Sequence, residues 1–170
     1  YGDFLEAQFF EPLSMKDTGV HTHDAILDNE GTGYSQEGAA LKKALNWNMS
    51  RAGGAGALYS TVGDLARWNE GVFGGKVLTE ASLKAATTPV SVGGAQTPPE
   101  DGYGYGRAVS TFRGLREIQH GGGLQGFLSQ LARYPSERLN VVVLVNAGPP
   151  APGLAPDELA RDIAKIFLGD

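Results

Sequence analysis

The chain contains no cysteine, which removes disulfides, thiolate catalysis and cysteine-ligated metals from consideration. It has no apolar run near the ~18 residues that a membrane-spanning helix needs; the longest, residues 141–145, is the size of a strand. Positive charge is in short supply. Fourteen Lys and Arg against 19 Asp and Glu leave a net charge of −5 and a pI near 5.2, so there is no basic footprint for nucleic acid. The first residue is Tyr1 rather than a methionine, and the natural beginning is expected to lie upstream.

Glycine is abundant instead, with 25 in 170 residues, about twice the usual share. The glycines are clustered without a period, which excludes collagen-like and low-complexity readings. An ordinary balance of 41% hydrophobic and 19% charged residues predicts a folded domain.

The densest cluster is Ile-Gln-His-Gly-Gly-Gly-Leu-Gln-Gly-Phe at 118–127. Three glycines without Cβ atoms let another molecule lie against their backbone. On an edge strand, such a run offers unpaired N–H groups to a carbonyl or oxyanion, and His120 adds a group that titrates near neutral pH. A loop beside a surface histidine is the plainer alternative.

Helical spacing of Phe4, Leu5, Gln8 and Phe9 predicts a helix over 1–13, ended by Pro12, with a polar turn closing at Gly19. Residues 20–50 are weakly patterned and read as loop. His21 and His23, with Asp24 or Asp28, could begin a metal site. No third ligand follows at a familiar spacing, so neither metal nor cofactor is expected. Ser60 or Thr61 caps a helix running to about Phe73 with Val62, Leu65, Ala66 and Val72 inward. Thr79 caps another over 80–87. Residues 91–102 read as exposed loop. Alternation then predicts strands over 103–112, 115–120 and 127–134. Residues 139–145, apolar on both faces, predict a central strand. Pro156 opens a helix to Leu168 with Leu159, Ile163, Ile166 and Phe167 as its apolar stripe. Trp47, Trp68, Tyr103 and Tyr105 read as packing residues. The fold class is α+β, with an antiparallel sheet flanked by helices. Helix and loop occupy 1–102; antiparallel strands and a terminal helix occupy 103–170.

Taken in order, several stretches resemble one family. They are Pro12-Leu13-Ser14-Met15 with Asp17-Thr18, Ala52-Gly53-Gly54, Ser60-Thr61 with Asp64-Leu65-Ala66, Tyr103-Gly104-Tyr105-Gly106, His120-Gly121-Gly122-Gly123 and Val142-Val143-Leu144-Val145-Asn146. The chain looks like the C-terminal part of the serine β-lactamase-like and penicillin-binding-protein-like hydrolases. These include class C β-lactamases, D-Ala-D-Ala carboxypeptidases, D-aminopeptidases and β-lactamase-fold esterases. The resemblance implies a partial β-lactamase/transpeptidase-like fold lacking its N-terminal part, so that residues 1–170 are one portion of one domain. It implies acyl-enzyme chemistry on a β-lactam, D-amino peptide or short ester, by a Ser-x-x-Lys pair. His120-Gly121-Gly122 matches the family's third motif in its histidine form. His120 and the Gly123 N–H would then serve catalysis, with Gly121 and Gly122 along the substrate. No serine here has lysine three residues on, and no tyrosine has asparagine two residues on. Nucleophile and base would therefore lie in an N-terminal segment of the same domain, leaving this chain inactive alone. The resemblance also implies a periplasmic or secreted location. Two alternatives stand beside it. A non-catalytic β-lactamase-like binding or scaffold domain is one. An α/β-hydrolase lipase is the other, against which no Gly-x-Ser-x-Gly elbow follows the glycines.

Overall fold

In a computed structural model, the structure describes residues 1–22, 24–38, 40–45, 48–90, 101–150 and 154–169. The elements in order are α1 (Gly2–Leu5, continuing as a π-turn over Glu6–Phe10), β1 (Gly19–Val20), β2 (Tyr34–Glu37), β3 (Ala40–Lys43), β4 (Leu58–Tyr59), α2 (Val62–Phe73), α3 (Glu80–Ala86), β5 (Gly102–Tyr103), β6 (Ala108–Phe112), β7 (Leu115–Leu124), β8 (Phe127–Tyr134), β9 (Leu139–Val145), β10 (Ala147–Gly148) and α4 (Pro156–Leu168). Strands β5 to β9 form one antiparallel meander in chain order. Two-residue turns join β6 to β7 and β7 to β8, so each strand lies beside its predecessor.

Side chains alternate across a strand, and β8 uses both of its faces. Ala132 and Tyr134 join Val141 and Val143 in a buried cluster against Ala160 and Ala164 of α4. Arg133, between them, points the other way. It donates to Glu70 of α2 at 2.8 Å and stacks over the Phe73 ring. Helices α4 and α2 therefore cover opposite faces of the sheet.

On the α4 face, buried Glu117 accepts hydrogen bonds from Tyr134 (2.6 Å), Ser110 (3.0 Å) and the Arg161 guanidinium (2.7 Å). Burial pushes the carboxyl upward, but bonds from Arg161, Tyr134 and Ser110 outweigh it and hold Glu117 below its ordinary value. On the α2 side, Phe10, Leu13 and Met15 pack with Phe9 and Trp68. Leu13 comes so close to Gly71 that a Cβ there would sit 2.5 Å from its Cδ2. Thr61 caps α2 by accepting from the Asp64 N–H. The fully buried Asp64 carboxylate accepts from the Asp17 N–H and the Thr18 hydroxyl, both at 2.8 Å, and from Arg67 at 2.7 Å. One carboxylate thus locks the Asp17-Thr18 turn onto the start of α2.

Several expectations change. The region 1–102 is not only helix and loop, since β1 to β4 lie within it and β5 begins at its end. Strands β2 and β3 form an exposed hairpin, and with neither face buried no alternation marked them. The expected strand over 103–112 folds back on itself as β5 and β6. The strand that was to end at His120 continues to Leu124. Apolar β9 is an edge strand among the described residues, paired to β8 alone. Val62 is 53% exposed, whereas Asp64, Asn69, Gly71 and Val72 are the buried residues of α2. The buried residues of α4 are Pro156, Ala160 and Ala164, while Ile166 and Phe167 of the expected stripe are 78% and 70% exposed. His23, Trp47 and the stretch 91–100 lie outside the described residues.

Candidate active site

Strand β7 changes character along its length. Leu115 to Gln119 pairs with β6, and Ile118 and Gln119 pair with β8 as well, but β6 ends at Ala108 opposite Gln119. His120 to Leu124 remains paired to β8, and no described strand pairs with its other side. The glycine run is therefore an edge built into the middle of a sheet.

Antiparallel pairing decides which amides face that edge. Leu124 and Phe127 close a two-residue turn and exchange hydrogen bonds, so the even-numbered residues of β7 turn N–H and C=O toward β8. From the other end, Phe112 and Leu115 close the Arg113-Gly114 turn, which turns the odd-numbered residues toward β6. Both turns give one parity. Gly121 and Gly123 therefore present N–H and C=O outward where β6 has stopped, while Gly122 spends its own groups on the ladder. Glycine at these positions also spares β8. A Cβ on Gly121 would sit 2.8 Å from Gln130 Oε1, one on Gly122 2.6 Å from Ser129 Oγ, and one on Gly123 3.4 Å from Leu128 Cδ2.

His120 stands at the head of this edge with an exposed side chain. Its Nε2 lies 2.8 Å from the Tyr103 hydroxyl, and the two rings meet edge to face at 5.9 Å. Tyr103 comes from β5, so the fold-back of β5 onto β6 delivers the phenol to the histidine. Sequence reasoning placed Tyr103 among packing residues. The only signal was its position at the strand entrance, since nothing in the local pattern predicts a contact across 17 residues. Nearby, burial lowers the Arg107 guanidinium from its ordinary value, and its Nη1 has no hydrogen-bond partner.

The structure thus gathers His120, Gly121, Gly122 and Gly123 on one strand and divides their tasks by parity. It also adds Tyr103. What it assembles is an exposed imidazole–phenol pair beside two outward amide donors, a set able to hold a carbonyl oxygen and move a proton. The histidines of the N-terminal loop separate from it. His21 Nε2 contacts Glu30 Oε1 at 3.1 Å, and no group of three metal-ligating side chains occurs among the described residues.

Residues 1–165 match the beta-lactamase family. The chain is 29% identical to the unguisins hydrolase ungD of Aspergillus violaceofuscus, over 84% of this chain and 30% of that protein. It is 30% identical to the putative beta-lactamase-like 1 of Homo sapiens, over 95% of this chain and 31% of that protein. It thus spans about a third of the length of these curated relatives. Among solved structures, a D-stereospecific amidohydrolase from Streptomyces sp. superposes with a TM-score of 0.78 at 25% identity, covering all of this chain and 49% of that one. With the meander, its flanking helices and the His-Gly-Gly-Gly edge in place, the chain belongs to the beta-lactamase family.

Proposed function

We propose that this chain supplies one wall of the acyl-transfer site of a serine hydrolase. The outward N–H of Gly123 is one donor to the oxyanion, a contribution typically of about 3 kcal/mol to the transition state. The outward amide of Gly121 lies along the substrate. His120, hydrogen-bonded to Tyr103, polarises the acyl compound rather than attacking it. The attacking serine and its lysine come from a segment outside residues 1–170. The single observation that carries this reading is the parity of β7, whose outward amides begin where its outer neighbour ends.

Two surfaces support a further segment packing here. Strand β9 leaves an apolar edge unpaired among the described residues, and Ile163, Ile166 and Phe167 expose an apolar patch on α4. The substrate class is a β-lactam, a D-amino peptide or a short ester. The likeness to a D-stereospecific amidohydrolase favours an amide of a D-configured residue. A fluorophosphonate probe tests the reading. It labels the full-length protein and leaves the isolated 170-residue chain unlabelled. Absence of labelling on the full-length protein overturns the hydrolase and leaves a binding domain.

A further inference from the structure

Among the described residues, Arg107 is the one charged residue on the wall of a cavity of about 280 Å³. The cavity lies between α2, α3 and the turn that joins β5 to β6. Trp68, Val72 and Phe73 of α2 form one side, and Leu83 and Ala86 of α3 form another. The turn is pinned to α3. Tyr105 donates its N–H to the Ala86 carbonyl at 2.9 Å, and a Cβ on Gly104 would sit 2.1 Å from the same oxygen. So close an approach needs a residue without a side chain at 104, and it carries Arg107 onto the wall.

Charge is unbalanced here. Arg133 and Arg161 each lie against a carboxylate oxygen, at 2.8 and 2.7 Å. No carboxylate pairs with Arg107 among the described residues. Its Nη1 is shut off from solvent without a hydrogen-bond partner, and burial lowers the guanidinium from its ordinary value. Two more guanidiniums touch the wall. Arg133 stacks over the Phe73 ring at 5.4 Å, and Arg116 donates to the Thr87 carbonyl at 2.5 Å. Of the three, only Arg133 has an acidic partner, Glu70. In a chain of net charge −5, this is a local positive field. A buried cation without a counter-charge costs free energy, and a bound anion offsets that cost.

We propose that this cavity binds a small organic carboxylate, its ring or branched body among Trp68, Phe73 and Leu83 and its carboxylate on Arg107. A dry cavity of roughly 150 Å³ holds benzene, so about 280 Å³ takes a phenyl ring with a short carboxylate arm. A guanidinium fork meets a carboxylate in two parallel hydrogen bonds, and aromatic walls hold a ring edge to face. Charge then selects the acid over an amide of the same shape. None of the wall residues belongs to the glycine edge of β7, and the assignment does not rest on the hydrolase reading.

The test is an NMR titration of the full-length protein carrying methyl-labelled valine and leucine, with 3-phenylpropanoate, 3-phenylpropanamide and acetate as probes. 3-Phenylpropanoate shifts the Val72, Val77 and Leu83 methyls saturably. The amide keeps the shape and loses the charge, and binds about tenfold more weakly, the difference between a charged and a neutral hydrogen bond. Acetate, which has no apolar body, gives no saturable shift over the same concentrations. In Arg107→Gln the acid and the amide bind alike, and thermal unfolding stays level or moves up because an unpaired buried cation is gone. Arg107→Lys keeps the charge and retains the order of acid over amide. The proposal is overturned if the acid leaves these methyls unmoved, if the amide binds the unaltered protein as well as the acid does, or if a folded Arg107→Gln protein keeps the preference. Shifts of the same methyls that grow with protein concentration and need no probe would make a second copy of the chain the occupant, and would overturn it too.

Discussion

Proline at position 123 removes one N–H that the ladder does not use. Gly123 faces its amide away from β8, and no described strand pairs with it there. Proline is tolerated on a strand edge when its missing N–H points outward. The new ring carbons project into the open side, and the added Cβ meets only Leu128 Cδ2, at 3.4 Å. Proline's narrower φ adds strain, offset in part by the lost freedom of glycine in the unfolded chain. Gly123→Pro is therefore expected to change stability by no more than about 1 kcal/mol. Gly122→Pro is its control one residue away. It deletes a ladder bond to Ser129 and places a Cβ 2.6 Å from Ser129 Oγ, for a cost of about 3 kcal/mol or more. Function should invert the order. Gly123→Pro removes an oxyanion donor and lowers kcat of the full-length protein about 10²–10³-fold. Urea unfolding and turnover of an activated ester measure both quantities on the same samples. Equal destabilisation by the two prolines would show that the parity is misassigned. An unchanged kcat in a folded Gly123→Pro protein would remove Gly123 from the site.

Further outcomes follow from other contacts. Tyr103→Phe deletes the hydroxyl 2.8 Å from His120 and should lower kcat/KM about three- to tenfold, the worth of one hydrogen bond, with thermal unfolding unmoved because the ring is half-exposed. Asp64→Ala strands the Asp17 N–H and leaves the Thr18 hydroxyl only its Ser60 partner, and should cost about 3 kcal/mol in denaturant unfolding. Glu117 is held below its ordinary value, so its stabilisation is complete above its unfolded pKa and is lost as pH falls through the folded one. Glu117→Gln should therefore lower stability by about 2–4 kcal/mol at neutral pH and flatten the acid limb of a stability–pH curve; an unchanged limb would refute this. The isolated chain of residues 1–170 should turn over neither nitrocefin nor a p-nitrophenyl ester.

Much of this protein is written locally. The helix over 62–73 follows from its Thr61 cap and the Gly74-Gly75 stop. The terminal helix follows from Pro156, two acids in its first turn and Gly169, and the strands from 108 to 145 follow from alternation and turn residues. These signals depend on neighbours in sequence, so composition and spacing reveal them. The glycine run after His120 was legible as a surface another molecule could approach, for the same reason. Long-range placement was not. Whether β9 is central or at an edge depends on what pairs beside it, and its apolar residues read alike in both cases. Leu159 of the α4 stripe packs against the buried cluster as expected, whereas Ile166 and Phe167 turn outward because the small residues Ala160 and Ala164 let the helix approach the sheet more closely than they would. The exposed β2–β3 hairpin buries neither face, so it left no periodic trace. Above all, the outward amides of Gly121 and Gly123 exist because β6 stops at Ala108, and Tyr103 reaches His120 because β5 folds back beside it. Strand length and register are settled by tertiary packing, and no single stretch of sequence carries them.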